Sequence, residues 1–221
     1  MAKKQAKSRN LVIFTLVILV LLIALFVLTQ LSNEAGKYQT FGSAPDLTGQ
    51  PLLGNKDAKV TIYEFGDYKC PACKAWSTTV FPKLMKDYID TGKANFSYIN
   101  VLFHAEESRM SALAAESVLA QNPEAFWPYH DAIFHAQPDM ESNWVTLNKM
   151  LEIAGTIQPA IDTAKLKSDI ETLATQPQVS VDEALVKDYK IKQTPTIMIN
   201  DVMLDDPFDY DAIVKLIEEK Q

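Results

Sequence analysis

The stretch that decides the fold runs from Tyr63 to Cys73 and reads YEFGDYKCPAC. The residues from 60 onward alternate in hydrophobicity, which predicts a strand that ends at Gly66-Asp67. Pro71 is suited to the first position of a helix, because the backbone N–H that it lacks would have no partner there. The pattern therefore predicts a strand, a short loop and a helix, with both cysteines of the chain at the junction.

Cys70 is expected to be the N-cap of this helix, directly before Pro71. The free N–H groups of the first turn and the positive end of the helix dipole would then face its sulfur and favour the thiolate. We expect a Cys70 pKa below the ordinary value of about 8.5. A stabilised thiolate favours the dithiol form, so the disulfide becomes a better oxidant. Cys73, one turn further on, is expected to be less exposed and to act as the resolving thiol.

Two other uses of this cysteine pair stay open. A structural disulfide across four residues would stabilise the fold by only about 2 kcal/mol, against nearly 5 kcal/mol for a loop of about 100 residues. A metal site is the other alternative, since thiolates bind copper(I) and zinc. No Met or His adjoins the motif in sequence to complete such a site, and we predict no metal ligands.

Glu64 lies six residues before Cys70, on the same predicted strand face as Val60 and Ile62. A carboxyl group on an apolar face is desolvated, which raises its pKa. Such a group can give and accept a proton as Cys73 cycles between thiol and thiolate. The alternative is a solvent-exposed glutamate on an edge strand.

The rest of the chain predicts two parts of a sheet with a helical block between them. A helix from Pro71 to about Asp90, kinked at Pro82 and closed at Gly92, leads to a strand over 94–103. Residues 104–190 are predicted to be helical throughout. The C-terminal part follows with Thr194-Pro195, whose peptide bond can be cis, strands at 196–200 and 202–204, a turn at Asn200-Asp201, and a helix capped by Asp209.

The N-terminal segment has a different composition. Residues 1–10 carry four basic side chains and no acid, and residues 11–31 carry no charge. A helix of that length, at about 1.5 Å per residue, nearly matches a hydrocarbon core of about 30 Å. We predict a cytoplasmic basic segment over 1–10, a transmembrane anchor over 11–31 and an extracytoplasmic linker over 32–55. The alternative is a cleaved signal peptide, whose apolar region is usually about 7–15 residues long.

Composition excludes several classes of protein. Apolar residues make up 48% and charged residues 22% of the chain, which is typical of a globular protein. Two Cys and three His argue against a disulfide-rich scaffold and a zinc finger, and we interpret His104, His130 and His135 as structural or surface residues. The chain beyond residue 10 is acidic, which argues against nucleic acid as a partner. Aspartates cluster over 201–211, where extracellular calcium could bind weakly, although we assign no ligands.

These features together resemble the DsbA-like thiol:disulfide oxidoreductases of the thioredoxin superfamily. The resemblance covers roughly residues 50–221 and rests on the stretch 63–73, the inserted helical block and the sequence QTPT over 193–196. The anchor and the sequence NVLFH over 100–104 are most similar to the membrane-anchored members of Gram-positive bacteria. The resemblance implies a thioredoxin-like α/β fold over 56–221, with a large all-helical insertion over 104–190, preceded by one N-terminal transmembrane helix.

The resemblance also implies roles for individual residues. Cys70 is similar to the nucleophile that forms a mixed disulfide with substrate, Cys73 to its partner and Glu64 to the buried acid beneath them. The family implies that Pro195 is a cis-proline packed against the active site and that the backbone of Thr194 pairs with the substrate chain. One departure concerns the dipeptide between the cysteines, which is Pro71-Ala72 here and contains a His in the family's best-known strong oxidant.

The implied activity is disulfide donation to exported proteins that are unfolded or reduced, with no cofactor beyond the disulfide of Cys70 and Cys73. A DsbB-like, quinone-linked membrane oxidase would reoxidise the pair. We expect a monomer, held at the cell membrane of a Gram-positive bacterium with its catalytic domain outside. A reductase or isomerase on the same fold stays an alternative, as does a membrane-tethered module that binds metal or client proteins.

Overall fold

The structure, a computed structural model, describes residues 2–35, 38–139 and 142–221, and the side chains of 13–29, 38–139 and 142–221. The chain divides into two compact units, Met1–Gln39 and Thr40–Gln221. Helix α1, Ala2–Ala35, makes up most of the first unit. Among the residues whose side chains are described, no helix is long and apolar enough to cross a membrane. The side chains of the predicted basic segment and of both ends of the predicted anchor lie outside the described set, and the anchor over 11–31 stays a prediction.

A six-stranded sheet positions the cysteine motif. Its strands are β1 Tyr38–Thr40, β2 Leu52–Gly54, β3 Val60–Gly66, β4 Ala94–Asn100, β5 Thr196–Ile199 and β6 Val202–Leu204. They lie in the order β1-β6-β5-β3-β4-β2. β3 is parallel to β4 and antiparallel to β5, so the strand that leads to the cysteines is central. All residues of β3 and β4 are buried, which confirms the prediction that the strand beginning at Ala94 has two apolar faces, although it ends at Asn100 rather than at 103.

Two of these strands lie within residues 32–55, which the sequence assigns to a linker. β2 pairs with β4, with Leu52 opposite Ser97. The hydroxyl of Tyr63 donates to the Pro45 carbonyl at 3.0 Å, and Phe41 packs against the hydrophobic core. The linker prediction is therefore wrong from Thr40 onward. Strands of three residues are too short to show an alternating pattern, and their pairing partners are far away in sequence.

Helix α2, Pro71–Thr79, begins where the sequence predicts. Cys70 is its N-cap, with an extended backbone at φ −75° and ψ 121°, and Pro71 is in the first turn. The strand, the short loop and the helix therefore follow one another as expected from the stretch 63–73.

The helix predicted to continue to Asp90 is interrupted. After α2 the chain forms the short helix α3, Phe81–Leu84, and a π-helical turn, Met85–Ile89. Pro82 lacks the N–H that would bond the carbonyl four residues earlier, and its ring crowds that carbonyl. The sequence predicts a kink at Pro82, and the structure shows a complete interruption at Val80 instead.

Between β4 and β5 the described residues form five helices and no strand, as predicted for 104–190. The helices are α4 Ala105–Gln121, α5 Pro123–Ala136, α6 Leu147–Ala154, α7 Thr163–Glu171 and α8 Gln176–Asp188. The side-chain amide of Asn100 donates to Glu116 on α4 at 3.1 Å and to Asp182 on α8 at 2.7 Å. These hydrogen bonds join the insertion to the end of β4.

The C-terminal part follows the sequence prediction closely. Asn200 turns the chain between β5 and β6 with φ +51°. The last helix, α9 Tyr210–Lys220, is capped by Asp209, whose carboxylate accepts the N–H of Ala212 at 3.0 Å. The architecture agrees with the predicted α/β fold with an inserted helical block.

Candidate active site

The two cysteines occupy different environments at the start of α2. Both are free thiols in this structure. The N-cap residue Cys70 keeps 8% of its surface exposed, whereas Cys73 has none. Cys70 is therefore the sulfur that an incoming thiol can reach, and Cys73 is the one behind it, as predicted.

The pKa of Cys70 is lowered to about 5. The largest cause is a hydrogen bond from the Cys73 thiol, while burial opposes the shift. The Thr194 side chain and the backbone N–H groups of Ala72 and Cys73 also stabilise the thiolate. The predicted lowering of the Cys70 pKa is confirmed. Sequence reasoning named the helix N–H groups and missed the Cys73 thiol, which contributes most.

The pKa of Cys73 moves in the opposite direction, well above its ordinary value. Burial is the main cause, followed by the hydrogen bond that its thiol donates to Cys70 and by repulsion from Glu64 when that group is ionised. The backbone N–H of Asp67 contacts the Cys73 sulfur at 3.4 Å. At neutral pH the pair therefore holds one proton, on Cys73, with the charge on Cys70.

Glu64 is completely buried on central strand β3, so the alternative of an exposed edge-strand glutamate is wrong. Burial raises its pKa well above the ordinary value, and the charge of Cys70 adds to the shift. Tyr98 on β4 and Ile197 on β5 lie opposite it in register. Neither carboxyl oxygen has a hydrogen-bond partner among the described residues. Burial therefore favours the protonated form of Glu64, in a site that also contains Cys73.

Thr194 and Pro195 lie beside the exposed sulfur. The Thr194–Pro195 peptide bond is cis, as the resemblance implied. The Cys70 sulfur is 3.4 Å from the Thr194 carbonyl oxygen. The fold thus brings Cys70 and Thr194 together, although they are more than a hundred positions apart in the sequence.

Sequence reasoning missed Asp67, which fixes the loop between β3 and α2. Its buried carboxylate accepts from the backbone N–H of Phe103 at 3.1 Å, the Ser108 hydroxyl at 2.8 Å and the His104 ring at 2.8 Å. The other oxygen accepts from the backbone N–H of Lys69 at 2.9 Å. The only signal in the sequence is an aspartate directly after a strand, which is typical of many turns.

A second loop contact joins the motif to the helical insertion. Lys69 is buried, and its ammonium group lies 3.1 Å from Glu107 on α4. The Gln137 side chain at the end of α5 donates to the Lys69 carbonyl at 2.6 Å. The insertion therefore holds the backbone directly before Cys70.

The three histidines agree with their predicted structural roles. His104 supports Asp67. His130 is buried, which lowers its pKa to about 3, and its ring lies 3.0 Å from the Tyr68 hydroxyl. His135 is exposed beside Asp131. Within the described part of the chain, no group of three or more His, Cys, Asp or Glu side chains is arranged to hold a metal ion. The weak calcium site, for which no ligands were named, stays a prediction.

Comparison with known proteins places this arrangement in a family. The sequence model of the thioredoxin family matches residues 46–219, and the chain belongs to that family. Its cysteine motif, inserted helices and Thr194–Pro195 bond are those of a DsbA-like protein.

Within this class the chain is similar to a Bacillus protein. It is 42% identical over 193 residues to disulfide bond formation protein D of Bacillus subtilis strain 168, covering 87% of this chain and 84% of that protein. The crystal structure of oxidised BdbD from Bacillus subtilis matches with a TM-score of 0.79 at 41% identity, over 82% of this chain and 98% of that one. Chlamydia trachomatis DsbA has a TM-score of 0.68 at 24% identity, over 76% and 90% of the chains, and supports the fold alone. The chain is a thiol:disulfide oxidoreductase with a thioredoxin-like fold.

Proposed function

We propose that this protein donates the disulfide of Cys70 and Cys73 to exported proteins that reach it with reduced cysteines. The observation that carries the proposal is the opposite shift of the two pKa values, which is lowered to about 5 for Cys70 and raised for Cys73. A sulfur that is stable as a thiolate is a good leaving group, so a mixed disulfide on Cys70 is resolved readily. The name of the Bacillus subtilis relative, disulfide bond formation protein D, favours the same direction.

The reaction begins with the oxidised pair. A client thiolate attacks the Cys70 sulfur, the bond between the two cysteines breaks, and its electron pair leaves on Cys73. Glu64 gives its proton to the Cys73 thiolate. A second client thiolate then attacks the client sulfur in the mixed disulfide, and Cys70 leaves as the stabilised thiolate. The client is oxidised by two electrons and the protein is reduced.

The client chain would bind beside Thr194 and Pro195. The Thr194 carbonyl lies against the Cys70 sulfur, so a chain bonded to that sulfur passes within reach of this backbone. Main-chain hydrogen bonds do not depend on the client's side chains, which suits an enzyme with many different substrates. Pro71 is exposed next to the sulfur and leaves this approach open, and Ala72 adds no polar side chain to it.

Reduced protein must be reoxidised, and we infer a DsbB-like, quinone-linked membrane oxidase as the partner. The described residues contain no other cysteine that could carry the electrons away. A separate oxidant must therefore accept them. The redox-active group of this reaction is the disulfide of Cys70 and Cys73, and the exchange needs no further cofactor.

The proposed function predicts that the oxidised protein speeds disulfide formation in a reduced, unfolded client. Wild-type protein should transfer one disulfide per molecule without added oxidant, and Cys70→Ala should transfer none. Equilibration with glutathione, followed by tryptophan fluorescence, gives the direction of the reaction. A redox potential near that of thioredoxin, about −270 mV, would favour the reductase alternative.

We also propose that residues 11–31 hold the enzyme at the outer face of the cell membrane. Support comes from the uncharged sequence of this segment, the four basic residues before it and the helical backbone of Ala2–Ala35. Large apolar side chains between Ile13 and Leu28 are exposed. A membrane-impermeant thiol reagent added to intact cells should label Cys70. Labelling only after lysis would place the catalytic domain inside and contradict this proposal.

A further inference from the structure

The space around Glu64 is shared with a second buried polar group, the phenol of Tyr98. The two residues lie opposite each other in the parallel pairing of β3 and β4. Gly66, two residues after Glu64, lies on the same strand face. A Cβ atom at Gly66 would be 2.4 Å from Cε2 of Tyr98, 2.9 Å from its Cζ and 2.9 Å from Oε1 of Glu64. The Tyr98 ring and the Glu64 carboxyl group thus both occupy the volume that a larger residue at Gly66 would fill.

Both groups lack hydrogen-bond partners. Tyr98 has no exposed surface, and among the described residues its hydroxyl contacts no donor or acceptor. The same holds for both oxygens of Glu64. A buried hydroxyl without a partner is costly and uncommon in folded proteins. Its persistence next to an acid that must ionise during the reaction indicates a use in the ionised state of Glu64.

We infer that Tyr98 is a positioning residue for Glu64, whose hydroxyl becomes the hydrogen-bond donor to the carboxylate once Glu64 has given its proton to Cys73. The inference rests on the proposed function. In the step concerned, the proton moves from Glu64 to the Cys73 sulfur, and Tyr98 keeps its own proton. On reoxidation the Cys70 thiolate attacks the oxidant's disulfide and one oxidant sulfur leaves. Cys73 then attacks Cys70 in the mixed disulfide and displaces the second oxidant sulfur, its proton passes to the Glu64 carboxylate, and the hydrogen bond from Tyr98 is released.

The groups that face Glu64 leave Tyr98 as the donor best placed for this role. The Cys70 thiolate at the N-cap of α2 presents a negative charge to Glu64 and no donor. Cys73 on α2 would repel an ionised Tyr98 only after losing its own proton. From the segment after β3, Tyr68 and Asp67 also raise the pKa of Tyr98, so they favour the protonated phenol that can donate. On the β5 side the residue paired with Glu64 is Ile197, whose apolar side chain has no hydrogen-bond donor.

The neighbours of the Tyr98 ring keep it in place. Its centroid lies 4.6 Å from the His130 ring and 4.9 Å from the Tyr68 ring. The His130 ring is paired with the Tyr68 hydroxyl, and burial keeps it neutral. This aromatic packing holds the Tyr98 ring over Gly66, so the ring stays beside the Glu64 carboxyl group.

The test uses Tyr98→Phe, which keeps the ring and removes the hydroxyl. Infrared difference spectra of the reduced protein report the carbonyl stretch of protonated Glu64, assigned by its loss in Glu64→Gln. Without the donor the carboxylate is less stable, so the band should persist to a pH about one unit higher than in wild type. Single-turnover reduction of the oxidised protein by dithiothreitol should slow about tenfold in Tyr98→Phe, because Glu64 becomes a weaker acid.

A double-mutant comparison separates this role from packing. Adding Tyr98→Phe to Glu64→Gln should cause no further loss, since no carboxylate remains to accept the hydrogen bond. Tyr129→Phe removes another buried hydroxyl, which donates to the Met150 carbonyl at 3.1 Å, and should leave both the infrared band and the rate unchanged. An unshifted Glu64 band in Tyr98→Phe, or an equal loss of rate in the Glu64→Gln background, would overturn the inference. A wild-type protein that exchanges disulfides with clients slowly would instead contradict the proposed function. The two failures can be told apart because the infrared test uses the protein alone, without a client.

Discussion

Replacing Cys73 with Ala is expected to leave Cys70 bonded to client proteins. The second cysteine normally returns to attack Cys70 and frees the client when the reaction does not go forward. Cys73 is buried directly behind Cys70. The sequence contains no third cysteine that could take over this role. Cells that produce the variant should contain adducts of higher mass, which reductant converts back to the free protein.

The matched control is Cys70→Ala, which keeps Cys73. Cys73 is completely buried and its pKa is raised, so it is both inaccessible and protonated. This variant should form essentially no adducts. Equal trapping by the two variants would show that the roles of the cysteines are not divided as proposed. An absence of adducts from Cys73→Ala in cells with reduced clients would contradict disulfide exchange through Cys70.

The second large effect is a pH-dependent gain in stability of the reduced protein over the oxidised one. The Cys70 pKa falls from 9.0 in the unfolded chain to about 5 in the fold. A lowered pKa adds stability as pH rises above the folded value, and the gain is complete above the unfolded value. Between pH 5 and 9 the free energy of unfolding of the reduced form should therefore rise relative to that of the oxidised form, by at most about 3 kcal/mol at pH 7, because solvent screens the partly exposed sulfur.

Urea unfolding of both redox forms at several pH values measures this difference. The oxidised protein has no Cys70 thiol to titrate, so it supplies the reference at each pH. Cys70→Ser in its reduced form should lose the pH-dependent gain. Curves for the two redox forms that run parallel up to pH 8 would contradict a stabilised thiolate. The expected gain corresponds to a redox potential raised by at most about 60 mV, which links the stability of the reduced form to oxidising power.

Much of the site could be predicted because its local geometry is encoded in neighbouring residues. Pro71 placed the start of α2, the alternation before Gly66 placed β3, and together they made Cys70 the N-cap. The apolar neighbours of Glu64 on its strand face indicated that it is buried. These inferences depend on contacts within a few positions of sequence, where periodicity and capping preferences are informative.

The remaining features depend on contacts between distant segments. The carboxylate of Asp67 acquires its role from Phe103, His104 and Ser108, and Tyr98 from its register with Glu64. The short strands within the predicted linker form because they pair with other strands of the sheet. Their own hydrophobic pattern does not predict them. Sequence spacing carries no information about such pairings until the order of the strands is known.

The central claim is that Cys70 is a thiolate at neutral pH because the start of α2 and the Cys73 thiol stabilise it. Titration of the ultraviolet thiolate band in the reduced protein tests this most directly. We expect a midpoint near pH 5 for Cys70 in the wild type and a higher midpoint in Cys73→Ala, where the strongest hydrogen bond to the thiolate is missing. A Cys70 midpoint near the ordinary thiol value of 9.0 in the wild-type protein would contradict the account.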